Sequence, residues 1–178
     1  ELIDDIKISN PEKIVFKKNK ITKFEIIKYY EKISKKMLPF LENRILTVVR
    51  CHGGIENCFF KKHPTIKNEY IKTIDIKNSE GEKDEYFYIE NKQGLIFEAQ
   101  QGTIEFHVWG SQIKNLEKPD MMVFDFDPDE KMDLKQIRQG VKDLKKILDQ
   151  LNLKSFLKTS GGKGYHVVVP FKPKVDWE

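Results

Sequence analysis

The sequence has little of what marks a secreted or membrane-spanning protein. It contains two cysteines in 178 residues, Cys51 and Cys58, and two cysteines do not make a disulfide framework, which fits a reducing cytoplasm. No apolar run approaches the roughly 18 residues that a membrane span needs, and no secretory signal stands at the front. Since the first residue is Glu1 rather than Met, we expect the chain to be incomplete or a fragment. These absences predict a cytoplasmic protein with no membrane contact.

Internal repeats, low-complexity tracts and convincing linkers are also lacking, so one domain over residues 1–178 is the economical prediction. What the sequence does contain is enough apolar material for a core. Hydrophobic residues make up 39% and aromatic residues 11% of the chain, values typical of a globular rather than a disordered protein.

The net charge of +4 is unevenly distributed. Residues 1–72 carry 16 lysines and arginines against 9 acidic residues, whereas residues 73–178 carry 16 against 19. A basic first part followed by an acidic second part suits a polyanion held near a metal. The alternative is a lysine- and isoleucine-rich composition drawn from an AT-biased genome, which explains the number of lysines but not their segregation.

Hydrophobic periodicity predicts alternating helices and strands. Thr22 and Glu25 form a capping-box pattern, and the helix that they open is predicted to stop at Pro39. Further helices are predicted over about 93–101 and 133–151. The predicted strands are 45–51, 70–76, 86–90, 103–109, 121–127, 156–159 and 165–170, with 70–76 and 86–90 forming a hairpin. This order predicts an α/β (α+β) domain.

Asp125-Phe126-Asp127, which closes an apolar run, is the most informative segment of the chain. Successive strand side chains point to opposite faces, so both carboxylates are predicted to project together while Phe124 and Phe126 face the core. Two like charges side by side are costly unless a cation lies between them, and Mg²⁺ and Mn²⁺ choose oxygen ligands of this kind. The alternative is a solvated acidic turn over residues 125–130.

A glycine-rich segment, Ser160-Gly-Gly-Lys-Gly-Tyr-His166, joins the last two predicted strands. Its three glycines allow a tight turn whose amide N–H groups approach an anion. The segment has neither the spacing of a Walker A loop nor the following helix of a dinucleotide fingerprint. A glycine-rich hairpin without a ligand is the alternative, but together with the Asp pair the segment predicts a metal–triphosphate site.

The combination resembles the archaeo-eukaryotic primase superfamily and, within it, the polymerase domain of bacterial and archaeal ATP-dependent ligase D, which acts in non-homologous end joining. Matching segments run in order through nearly the whole chain: 9–13, 21–23, 50–51, 58–63, 104–109 and 158–164. The resemblance implies a primase-like mixed sheet core flanked by helices, with its C-terminal part missing. It also implies a DNA-end-binding half, about 1–72, and a metal- and nucleotide-binding half, about 73–178.

The resemblance further implies an activity, partners and site residues. The activity is DNA-dependent nucleotidyl transfer that fills gaps and extends 3′ ends, with Mn²⁺ or Mg²⁺ and with ribonucleotides preferred over deoxynucleotides. The partners are gapped or broken DNA in the nucleoid, a Ku protein and a DNA ligase. The implied metal-binding and catalytic residues are Asp125 and Asp127; the nucleotide-binding residues are Phe59, Phe60, Lys62, His107, Ser160, Lys163, Gly164 and His166; the DNA 5′-phosphate is held by Asn10, Lys13 and Lys23.

Simpler roles remain open for several of these residues. Phe59 and Phe60 are also consistent with a core position, although two adjacent strand aromatics cannot both face one core. His107 is also consistent with a structural histidine, and the two phosphate-binding lysines are two among many. A zinc site at the cysteines is disfavoured because the C-x₆-C spacing fits no usual knuckle.

The sequence departs from the family at one point. The family's third metal carboxylate lies some tens of residues beyond the glycine-rich segment, in an Asp-Tyr-Leu-Arg-Asn context that Asp176 does not match. We therefore expect a separate or downstream segment to supply the third Asp. The alternative function is a non-catalytic module that binds DNA ends or nucleotides. A haloacid-dehalogenase phosphatase and an EF-hand are disfavoured by Asp129 and Glu130, which replace the residues that those motifs require.

Overall fold

The computed structural model describes residues 1–66 and 68–177, which fall into two compact units, Glu1–Trp109 and Gly110–Glu178. Within the described residues, no helix is both long enough and apolar enough to cross a membrane. The elements of the first unit are β1 Leu2–Ile3, β2 Ile6–Lys7, β3 Ile14–Phe16, β4 Ile21–Thr22, α1 Lys23–Leu41, β5 Leu46–Cys51, β6 Cys58–Lys61, β7 Lys72–Lys77, β8 Lys83–Tyr88, α2 Lys92–Gln100 and β9 Thr103–Val108.

The first unit is organised around an antiparallel sheet in the order β6–β5–β9. Val48, at the centre of β5, opposes Lys61 on β6 and Phe106 on β9, and it is fully buried. Side chains from α1 and α2 pack with this face of the sheet in one hydrophobic core. Because strand side chains alternate, the next row, in which Val49 opposes Phe60, faces away from that core.

Helix α1 begins as the sequence predicts but ends later. Thr22 accepts a hydrogen bond from the Glu25 N–H, and the Glu25 carboxylate accepts one from the Thr22 N–H, which completes the capping box. Pro39 lies inside the helix rather than at its end, so the prediction that it stops the helix is wrong. Its missing N–H removes one bond of the last turn, yet the Glu42 N–H still donates to the Leu38 carbonyl at 2.9 Å.

Cys51 and Cys58 form a disulfide. The two residues oppose each other at the end of the β5–β6 ladder, with their Cα atoms 4.0 Å apart. A count of two cysteines excludes a framework of several bridges, but it cannot foresee that strand register brings the two thiols face to face. The single bridge is therefore a feature that the sequence alone did not predict.

The second unit contains β10 Met121–Phe126, α3 Leu134–Gln150, β11 Phe156–Thr159 and β12 Tyr165–Pro170, preceded by a short 3₁₀ turn at Ile113–Asn115. Its antiparallel sheet has the order β10–β12–β11. Helix α3 begins with a capping box between Asp133 and Gln136 and buries Val141 and Leu148 against Val167 and Val169 of β12. The predicted apolar stripe is longer than the buried one, since Leu134 and Leu151 at its ends are 52% and 62% exposed.

The α/β class is confirmed, with helices packed on small antiparallel sheets. The long helix, the short helix and the last two strands match their predictions closely, and β7 and β8 form the predicted hairpin. The compact units meet at residues 109 and 110; the predicted division into a DNA-end-binding half and a metal- and nucleotide-binding half near residue 72 concerns function and stays a prediction.

Candidate functional site

The Asp pair lies on and just beyond the end of β10. Phe124 and Phe126 pack into the core of the second unit, so Asp125 projects from the opposite face, where its side chain is 63% exposed. Asp125 directly opposes His166 on β12, and the carboxylate Oδ1 lies 3.4 Å from the imidazole Nε2. Side chains of β10 therefore alternate between the core and the opposite face as predicted, and this alternation places the Asp125 carboxylate beside the His166 imidazole.

Asp127 follows the strand and lies against the end of the glycine-rich segment. A Cβ atom on Gly164 would come within 2.3 Å of the Phe126 carbonyl oxygen and 3.3 Å of Asp127 Oδ1. Only a residue without a side chain allows this approach. Gly164 thus allows the glycine-rich segment to lie close against Phe126 and Asp127, which the sequence had linked to that segment only by their order along the chain.

Residues 160–164, here called the glycine turn, are organised by one hydroxyl group. Ser160 Oγ accepts hydrogen bonds from the N–H groups of Gly162 and Gly164 at 3.3 and 3.2 Å, and Gly161 takes a positive φ of 93°. Because Ser160 Oγ is an acceptor in both bonds, its own hydrogen remains available for a bond to a further acceptor. Lys163 is exposed and makes no ion pair among the described residues, so the turn presents a hydroxyl and an ammonium group suited to an anion.

The donor set suits a hard divalent cation, because two exposed carboxylates from one strand end offer oxygen ligands. Within residues 1–66 and 68–177, no group of three or more His, Cys, Asp or Glu side chains is arranged to hold a metal ion. A cation on Asp125 and Asp127 would therefore take its remaining ligands from substrate oxygens, water or a further carboxylate. Mg²⁺-type ions are commonly held in this way, by one or two carboxylates plus substrate phosphates.

The first unit carries the predicted aromatic pair on its sheet. Phe59 and Phe60 are 49% and 67% exposed, so the core alternative is excluded for both. The Phe60 and His107 rings lie 5.8 Å apart in an edge-to-face arrangement, and His107 Nε2 lies 3.0 Å from the carboxylate of Glu105. The outward face of this sheet thus presents an accessible aromatic ring with an imidazole beside it.

A buried ion pair fixes which side of β6 faces outward. The Lys61 ammonium donates to both carboxylate oxygens of Glu98 at 2.8 and 3.1 Å, and Thr103 Oγ1 donates to the same carboxylate. Since Lys61 points into the core, its neighbour Phe60 must point away from it. Lys62, directly after the strand, is exposed.

The predicted 5′-phosphate residues come together around a second feature of the first unit. Asn10, Lys13 and Lys23 all line one cavity of about 220 Å³, here called the basic cavity. The Lys23 ammonium donates to the Ser9 carbonyl at 2.7 Å. Burial, together with the positive charges of Lys13 and Arg50, lowers the pKa of Lys23 to about 8. Cations held this close, with no Asp or Glu among the described residues that line the cavity, favour an anionic ligand.

Arg50 is a candidate residue that sequence reasoning missed. It lines the basic cavity, its Nη1 donates to Thr65 Oγ1 at 3.3 Å, and its Nε is buried with no hydrogen-bond partner among the described residues. The segment Arg50-Cys51 is one of the segments that match the family, but no binding role was assigned to Arg50 from the sequence. Its distance in sequence from Lys13 and Lys23 hid the clustering that the fold produces.

Comparison with known proteins agrees with these features. The family model described as LigD, primase-polymerase domain, matches residues 22–178. The multifunctional non-homologous end joining protein LigD of Pseudomonas aeruginosa is 33% identical over 175 residues, which cover 97% of this chain and 21% of that protein. The bifunctional non-homologous end joining protein LigD of Bacillus subtilis is 34% identical over 170 residues, covering 95% of this chain and 27% of that protein.

A solved structure shares the fold. The polymerase domain from Mycobacterium tuberculosis ligase D in complex with DNA superposes with a TM-score of 0.87 at 26% identity, over 96% of this chain and 63% of that one. The chain thus spans about a fifth to a quarter of the length of the curated relatives it matches. Because the family model matches residues 22–178 and the similarity to these relatives runs over almost the whole of this chain, the chain belongs to the LigD primase-polymerase domain family.

Proposed function

We propose that this chain is a DNA-dependent nucleotidyltransferase of non-homologous end joining, which fills gaps and extends 3′ ends with a preference for ribonucleotides. The observation that carries the proposal is the placement of Asp125 and Asp127 against the glycine turn, with His166 opposite Asp125. Carboxylates, an imidazole and an anion-binding turn within one small sheet are groups suited to metal-assisted phosphoryl transfer.

The second unit supplies the residues for the triphosphate. Asp125 and Asp127 hold Mn²⁺ or Mg²⁺, which when bound lowers the pKa of the attacking hydroxyl and neutralises charge on the phosphates. Ser160 and Lys163 bind phosphate oxygens through the hydroxyl and the ammonium group. His166 orients these phosphate oxygens beside Asp125.

The first unit supplies contacts to nucleic acid. Phe60, with Phe59 beside it in the sequence, offers a ring on which a base stacks, a contact worth about 1–3 kcal/mol per base. Lys62 and His107 hold the nucleotide near that ring. Asn10, Lys13 and Lys23, joined by Arg50, bind the 5′-phosphate at the far side of a gap. A solved relative is described as a complex with DNA, and the curated relatives are named as end-joining proteins, which supports DNA ends as the substrate. A Ku protein and a DNA ligase are the further partners that we propose.

A second candidate function is a module that binds nucleotides and DNA ends without catalysis. It is favoured by the absence, within the described residues, of a third side chain joining the Asp pair as a metal-ligating group. A metal site that activates the 3′-hydroxyl needs a further carboxylate, so binding is expected to survive where transfer does not.

Extension of a primer across a one-nucleotide gap, with ribonucleotides and Mn²⁺, separates the two candidates. We expect residues 1–178 to bind nucleotide but to extend the primer poorly. Adding the segment with the third Asp, in cis or as a second polypeptide, is expected to raise the extension rate by orders of magnitude with little change in nucleotide affinity, as for a group that acts in the transition state.

The matched control is Asp75→Asn, which removes an exposed carboxylate from β7 of the first unit and should change neither quantity. Extension that stays absent after the segment is added would contradict the polymerase proposal and leave the binding module. Full activity of residues 1–178 alone would instead assign the third carboxylate to a residue of this chain.

A further inference from the structure

Three side chains of different charge lie in one row across the sheet of the second unit. Asp125 on β10 opposes His166 on β12, and His166 opposes Lys158 on β11. Residues directly opposite on antiparallel strands share a face, with Cβ atoms about 4.5–5.5 Å apart. The 3.4 Å approach between Asp125 and His166 illustrates this proximity. Lys158 therefore projects beside His166 on the face that carries the Asp pair.

The position of Lys158 has a simpler explanation, which must be weighed. β11 is an edge strand of its sheet, all four of its residues are exposed, and exposed lysines protect such edges from pairing with other chains. Edge protection accounts for a lysine somewhere on β11. It does not account for a lysine opposite His166, in the same row as Asp125.

The surroundings of Lys158 indicate an anionic ligand. Lys158 makes no ion pair in the part of the chain that the structure describes, and β11 leads directly into the glycine turn through Thr159. A chain of phosphates held by Ser160 and Lys163 in the turn, and by a cation on the Asp pair, would lie over or beside this row. A triphosphate carries several negative charges, and an ammonium group within reach stabilises them by a charge-assisted hydrogen bond.

We propose that Lys158 is a further phosphate-binding residue, which contacts the polyphosphate of the incoming nucleotide from the strand next to His166. This inference rests on the proposed function of the same site. It adds a third strand to the metal- and phosphate-binding part of the site, because the metal and phosphate ligands named above lie on or beside β10, on β12 and in the glycine turn.

Calorimetric titration with ATP, ADP and AMP in the presence of Mn²⁺ tests the inference. Lys158→Met should weaken ATP binding about 10-fold, the size expected for removing one charge-assisted hydrogen bond, and should leave AMP binding within about twofold of the unchanged protein. Lys158→Arg should retain most of the affinity for ATP. The matched control is Lys142→Met, which removes the same charge beside the groove between α3 and β11, on the other face of the sheet, and should leave ATP binding unchanged.

The outcomes separate this inference from the proposed function. If the unchanged protein binds ATP and Lys158→Met binds it with equal affinity, the role of Lys158 is overturned and the proposed function is not. Equal losses for ATP and AMP, or a loss confined to DNA binding, would overturn it as well, since the ligand would not be the polyphosphate. Failure of the unchanged protein to bind ATP with Mn²⁺ would overturn the proposed function and this inference together. Thermal unfolding of each variant confirms that the fold is kept.

Discussion

The basic cavity of the first unit and the glycine turn of the second unit are both suited to bind phosphate, but they are built in opposite ways. The cavity gathers cationic side chains that are distant in sequence, Lys13, Lys23 and Arg50, in a partly enclosed space. The turn is a continuous segment of five residues, organised by Ser160, and it adjoins two carboxylates rather than further cations.

Because the charges around the two sites differ, each site needs something different in order to bind an anion. The cavity already has an excess of positive charge: burial, and after it the charges of Lys13 and Arg50, lowers the pKa of Lys23 to about 8, so a phosphate alone relieves repulsion there. At the turn, Asp125 and Asp127 oppose an anion until a cation neutralises them. The cavity should therefore bind phosphate without metal, and the turn should bind it only with metal.

The largest expected effect comes from removing the carboxylates of the metal-dependent site. Asp125→Ala with Asp127→Ala should abolish Mn²⁺-dependent nucleotide binding, because the cation loses both protein ligands. The stability of the metal-free protein should hold or rise, since two crowded charges are removed. Calorimetry with Mn²⁺ and thermal unfolding measure the two quantities. Unchanged Mn²⁺ affinity in the double variant would sink the assignment of the Asp pair.

A substitution in the glycine turn tests its close packing against the Asp pair. Gly164→Ala places a Cβ atom 2.3 Å from the Phe126 carbonyl oxygen, so backbone must move, at a cost of about 1–3 kcal/mol in the free energy of unfolding. Gly162→Ala is the matched control, because its Cβ would meet only Ser160 Oγ at 3.9 Å. Denaturant unfolding should separate the two variants; equal stability would mean that the turn does not lie as close to β10 as described.

The basic cavity is tested first by removing the 5′-phosphate from the DNA and then by removing a cationic side chain from the protein. Gapped DNA with a 5′-phosphate should bind several-fold more tightly than the same DNA without it, and Lys13→Ala should erase the difference, because the charge-assisted hydrogen bond is then absent in both cases. The slope of the logarithm of the binding constant against the logarithm of the salt concentration should also become shallower by roughly one unit for each phosphate that the variant no longer neutralises. Lys35→Ala, on the exposed surface of α1, is the control. Equal affinities of the unmutated protein for the two DNAs would refute the site.

The smallest expected effect is a pH dependence that only the basic cavity should show. Lys23, with its pKa of about 8, is protonated at pH 7 and increasingly neutral above pH 8. The advantage of the 5′-phosphate should therefore fall between about pH 7 and pH 9. Since the unfolded chain keeps Lys23 protonated up to its ordinary value of 10.5, the free protein should gain stability as the pH rises from about 8 towards 10.5. DNA titrations and unfolding curves at several pH values measure both trends, which Lys23→Met should remove.

The two regions also differ in how far the sequence could predict them. In the second unit, the Asp pair, the long helix and the glycine turn are consecutive elements with strong local patterns, so their positions along the chain could be predicted from periodicity and turn chemistry, whereas the register that pairs Asp125 with His166 could not. In the first unit, Arg50 joins Lys13 and Lys23 only through tertiary packing, and the Cys51–Cys58 bridge depends on strand register. Local sequence patterns carry no signal for such contacts. The exposure of Phe60 was foreseeable in part, because only one of two adjacent strand residues can face a core, but burial of Lys61 against Glu98 was not.

Removal of the metal tests the central contrast most directly. The same protein is titrated with a ribonucleoside triphosphate, and with gapped DNA with and without its 5′-phosphate, first with Mn²⁺ and then with EDTA. EDTA should abolish nucleotide binding while the preference for 5′-phosphorylated DNA stays within about twofold, since the basic cavity needs no cation. Nucleotide binding that persists in EDTA, or a 5′-phosphate preference that disappears with the metal, would contradict this contrast.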